Sequence, residues 1–130
     1  MSEYDPDDTS ITLFDKEEDG TRSALDAYRL RNGRLSIQGQ DLGKAPNEYW
    51  GSTEYEYFYE FDSSNETRLV EALAVALHAA GMEATGDTFN DLKTAFSHDV
   101  LRLSKLGVSY VEKFLDHFGI EYGFWSRHGD

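Results

Sequence analysis

The chain has 130 residues, 12 Lys and Arg against 25 Asp and Glu, and a formal net charge of −13 with His neutral. A hydrophobic share of 39% and an aromatic share of 14% fit one globular domain with a real core, and the absence of cysteine removes disulfide scaffolds, thiolate metal sites and Cys nucleophiles. No apolar run suits a membrane span, the start MSEYDPDDTS has the wrong charge for a secretory signal, and a pI near 4.5 disfavours direct nucleic-acid binding, so a cytoplasmic protein is expected.

Residues 1–20 hold eight acids against one base, Lys16, which is more than half of the net charge. The first ten also contain a proline and almost nothing apolar, so 1–10 reads as a disordered acidic tail and 11–130 as a single α+β domain. Ile11–Phe14 predicts a short strand, with a polar turn over 16–20 after it. Ala24–Leu30 predicts a second strand running into Asn32-Gly33, a two-residue hairpin signal because both central residues must take φ > 0. That loop sets Leu30 opposite Leu35 and Tyr28 opposite Ile37, with all four on one face, and Arg31 opposite Arg34. Gly39, Gly43, Pro46 and Gly51 then mark a long connection, a candidate functional loop.

Thr53–Asp62 alternates cleanly as a half-buried strand. Tyr55, Tyr57, Tyr59 and Phe61 take one side; Glu54, Glu56, Glu60 and Asp62 take the other, interrupted by Phe58. Ser63 and Glu66 have the spacing of a capping box, and Leu69, Val70, Leu73, Leu77 and Ala80 recur at helical spacing up to Gly81. A second helix starts near Asp87 or Thr88 and buries Phe89, Leu92 and Phe96. A third carries Val108, Val111, Phe114, Leu115 and Phe118 to Gly119, with Ser104 or Ser109 as its cap. Ile120–Trp125 is a closing strand, placed in the sheet and possible beside the long strand. This order predicts an α+β fold: an antiparallel sheet of four N-terminal strands plus the C-terminal one, with three helices packed on one face.

Chemistry-bearing patterns are sparse. His78, His98, His117 and His128 form no metal-ligand spacing, and His78 and His117 near helix C-termini answer to the helix dipole. No nucleophile motif or phosphate loop is present, and carboxylate pairs such as Glu54/Glu56 and Glu17/Glu18 read as solvated side chains. No catalytic, cofactor-binding or metal residue is assigned, and no enzyme is expected. The aromatic cluster is more specific: Tyr49, Trp50, Tyr55, Tyr57, Phe58, Tyr59 and Phe61 fall within thirteen residues. Phe58 shares its face with four carboxylates, so it either anchors a surface for a basic partner or is covered by a neighbouring strand or by the loop carrying Trp50.

The segments GQDLG at 39–43, YEY at 55–57 and GIEYGFWSRHGD at 119–130 resemble a loose group of short acidic bacterial proteins of unassigned function. In size, charge and α+β layout the chain is also similar, as a class, to the immunity proteins that bacteria pair with polymorphic toxins. The first expectation is therefore a non-enzymatic binding module of the immunity or inhibitor type, steered by its charge to a basic protein such as a toxin or nucleic-acid enzyme. The candidate contacts are Glu54, Glu56, Phe58, Glu60 and Asp62, with Tyr49 and Trp50 from the loop. Alternatives are a phage or plasmid anti-defence protein mimicking DNA, an acidity adapted to a salty cytoplasm, and a small enzyme or ligand-binding domain with a tyrosine-lined pocket. A monomer or a homodimer paired through an edge strand fits the same pattern.

Overall fold

A computed structural model describes residues 6–18, 20–43, 54–98 and 108–129. It has the α+β class, a five-stranded antiparallel sheet and three helices. The chain divides into two compact units, Met1–Glu60 with Gly123–Asp130, and Phe61–Tyr122.

The sheet consists of β1 (Pro6–Glu18), β2 (Thr21–Leu30), β3 (Leu35–Gly43), β4 (Glu54–Phe61) and β5 (Gly123–Gly129). Their spatial order is their sequence order, β1-β2-β3-β4-β5, so β1 and β5 are the outermost strands. Pro6–Ser10, expected inside the disordered tail 1–10, belongs to β1. The cause is a long partner: β2 continues to Leu30, which lies opposite Pro6, and an outermost strand tolerates a proline that cannot donate. The closing strand pairs antiparallel with β4, starting at Gly123 rather than at Ile120.

The hairpin between β2 and β3 lies where Asn32-Gly33 indicates, but its register differs by one residue. Arg29 lies opposite Leu35, Tyr28 opposite Ser36, and Ala27 opposite Ile37. The loop has three residues rather than two: the Gly33 N–H donates to Leu30 O (2.9 Å) and the Leu30 N–H to Arg34 O (2.9 Å). In this three-residue loop Gly33 takes positive φ (87°), as the common three-residue hairpin connection requires of its last residue. Asn32 holds the bend by accepting from the Arg34 N–H (2.9 Å). The slip turns β3 over relative to the expected pairing, and Leu35 and Ile37 join Ala27 and Leu25 on one buried face.

Gly39–Gly43, expected as part of a loop, is instead the second half of β3, paired with Thr21–Leu25. Gly39 is there for close approach, because a Cβ at this position would lie within the ring of Tyr57 from β4. Tyr57 and Tyr59 are buried as their alternation implies, and Tyr57 meets Tyr59 edge-on at 6.2 Å between centroids. Burial pushes the Tyr57 hydroxyl well above its ordinary pKa, helped by the charge of Asp41 and by Tyr55.

The second unit holds α1 (Ser63–Ala79), α2 (Thr88–Ser97) and α3 (Val108–His117). The N-cap of α1 is Asp62, one residue before the expected Ser63: its carboxylate accepts from the Asn65 N–H at 2.8 Å. Glu66 instead accepts from the Thr88 hydroxyl (2.7 Å), tying α1 to α2. Asp87 caps α2 through the Asn90 N–H (2.8 Å). Both α1 and α3 close with the paired bonds of a Schellman motif, Met82 N–H to Leu77 O and Ile120 N–H to Leu115 O. Leu69, Leu73, Leu77, Leu92, Ala95, Leu115 and Ile120 are buried, whereas Phe89 and Phe96 on α2 are only partly so. Among the described residues, no helix is long and apolar enough to cross a membrane.

Candidate binding surface

Alternation divides the sheet into an apolar and a polar face. On the polar face β2 presents Arg22, Ala24 and Asp26, which the register sets beside Leu42, Gln40 and Gln38 of β3. β4 contributes Glu54, Glu56, Phe58 and Glu60, and β5 sets Trp125 opposite Phe58 and Arg127 opposite Glu56.

The candidate residues of β4 are each engaged within the chain. Glu54 accepts from the Gln40 amide at 2.8 Å, across from β3. Glu56 accepts from Arg127 Nη2 at 2.9 Å. Burial works to raise the Glu56 pKa, but the Arg127 hydrogen bond, one with the Glu54 carboxyl, and the Arg127 charge outweigh it and hold it below the usual range. Glu60 is nearly buried and meets Arg34 Nη1 at 3.4 Å. Phe58 stacks on Trp125 with centroids 5.4 Å apart and planes 10° apart, and the Arg127 guanidinium lies 5.8 Å from the Phe58 centroid. A neighbouring strand thus covers part of Phe58, while both rings keep partial exposure. Asp62 follows β4 and is the N-cap of α1. Tyr49 and Trp50 lie outside the described residues.

The carboxylates of β4 are therefore fixed in place and largely balanced by Arg34 and Arg127. Trp125 and Arg127 belong to this patch although neither was a candidate from sequence. Their alternation in β5 puts them on one side, but only the pairing with β4 says beside what. The histidines do not converge into a metal site: among the described residues, no group of three His, Cys, Asp or Glu side chains is placed to hold an ion. His78 and His117 occupy the last turns of α1 and α3.

Comparison of the chain with known protein families, with characterised proteins by sequence, and with solved structures by fold gave no match.

Proposed function

We propose that the chain is a non-enzymatic protein-binding module, of the immunity or inhibitor type, that meets a basic protein such as a toxin or nucleic-acid enzyme. The observation that carries this reading is the patch on β4 and β5, where a stacked aromatic pair sits among carboxylates already held by intramolecular partners. Rings and acids ordered before contact lose little conformational freedom on binding, which favours affinity. The charge of −13 adds long-range attraction for a basic surface and discourages phosphate-bearing competitors. The class-level likeness to immunity proteins points the same way. Tyr57 and Tyr59, the tyrosines a pocket would need, are spent on packing, which gives the small-molecule alternative little support.

Affinity purification of the intact chain from its native host at low and high salt tests the proposal. The expected result is one basic protein retained at low salt and released as salt rises, with retention reduced by Trp125→Ala. Absence of a basic partner at every ionic strength rejects it.

A further inference from the structure

We propose that a depression on the polar face of the sheet, over β1 to β3, seats a lysine or arginine side chain and so anchors the basic partner; this rests on the function proposed above. The depression has a volume of about 240 Å³. Its origin is local: Ala24 stands between Asp15 on one neighbouring strand and Gln40 on the other, and its short side chain leaves a hollow between them. Ala24 and Leu42 supply a small apolar part of a lining that is mostly polar, with Thr12, Asp26 and Gln40 among its polar residues.

The charges in the hollow are not equivalent. Arg22 is committed to Asp15 as a two-pronged pair, Nε to Oδ1 at 2.9 Å and Nη2 to Oδ2 at 2.6 Å. That hydrogen bonding holds the Asp15 carboxyl below its ordinary pKa, and the two charges cancel. Asp26 is half-buried and makes no hydrogen bond or ion pair among the described residues, so one uncompensated carboxylate faces the space. Gln40 gives its Nε2 to Glu54 at 2.8 Å, which leaves its carbonyl oxygen as a second acceptor.

An acceptor pair beside a small apolar area matches an amphipathic cation. The methylene stem of Lys or Arg covers Ala24 and Leu42, and its head donates to Asp26 and Gln40. A phosphate would meet excess negative charge and an arginine already occupied. A small metal ion would find a single uncompensated carboxylate, and among the described residues no group of three ligating side chains is placed to hold one.

The test is a titration of the intact chain with Nα-acetyl-lysine N-methylamide and its arginine and norleucine counterparts, followed by backbone amide NMR at low salt. Saturable shifts at Thr12, Ala24, Asp26, Gln40 and Leu42 are expected with the two cations and not with norleucine. Asp26→Asn should weaken the cations about tenfold, as for loss of one member of a partly desolvated charge pair. Ala24→Leu, which fills the hollow and leaves every charge in place, should do the same. Equal response to norleucine, shifts spread over all carboxylates, or native affinity in either variant overturns the inference. If these occur while a basic partner is still captured, the anchor lies elsewhere and the binding function stands.

Discussion

Asp91 shows how much one side chain can organise. It is buried at 1% exposure near the start of α2 and accepts from the Thr85 N–H (2.9 Å), the Thr85 hydroxyl (2.9 Å) and the Gly86 N–H (3.0 Å). Burial alone would raise its pKa, but these bonds together with Asn90 bring it below the usual value. A carboxyl depressed in the folded state adds stability that is complete above its unfolded pKa of about 4 and is lost as pH falls through the folded value. Asp91→Ala should cost about 2–3 kcal/mol at pH 7, because it strands the loop donors. Asp91→Asn should cost less and flatten the acid limb of the stability curve. Urea melts between pH 2 and 7 measure both, and an unchanged midpoint for the Ala variant would count against this role. Nothing in the sequence distinguishes Asp91 from the other acids, since its importance comes from the loop that folds back onto it.

In β3 and the turn before it, two glycines meet different demands. Gly33, in the turn before it, has positive φ and open space around the missing Cβ, so Gly33→Ala should cost only backbone strain, roughly 1 kcal/mol. Gly39 has an ordinary backbone and no room, because the Tyr57 ring occupies the Cβ position. Gly39→Ala should cost more, roughly 2–3 kcal/mol, and most of that should vanish in a Tyr57→Leu background. Thermal denaturation of the two single variants, Tyr57→Leu and the Gly39→Ala/Tyr57→Leu double variant would reveal the coupling; strict additivity would contradict the packing account. These glycines also explain where the strand was legible. Asn32-Gly33 marks the turn correctly, yet whether the loop has two residues or three decides the register. Likewise Gly39 and Gly43 look like loop residues until the ring that lies on Gly39 is in place. The helices were easier: capping residues, helical spacing and terminal glycines act within a few residues of one another. Even there, Asp62 rather than Ser63 took the cap, two neighbouring residues able to do the same job.

Over the whole molecule the negative charge is uneven in a way that bears on partner binding. The first twenty residues carry eight acids and one base, and thirteen of those residues, Pro6–Glu18, form an outer strand of the sheet. On β4, by contrast, Glu56 and Glu60 face Arg127 and Arg34. Self-repulsion at −13 should make stability rise with salt as the charges are screened. A melting temperature that increases steadily from low to molar NaCl is the expected result, and a flat or falling curve would show that the paired acids already offset the excess. The Glu56–Arg127 pair should add little to that curve, since its arginine side chain is 69% exposed.

Composition and short-range pattern determined the class of this protein: strands with period-two alternation, helices with their caps, the tyrosine face of β4 and the excess of acid. These signals need no knowledge of distant residues. Tertiary structure decided the register of β3, the carboxylates' partners, the stacking of Trp125 on Phe58 and the unpaired charge left at Asp26. Each of these depends on residues far apart in the chain becoming neighbours across a strand, and a one-residue shift in pairing reverses which face a side chain occupies.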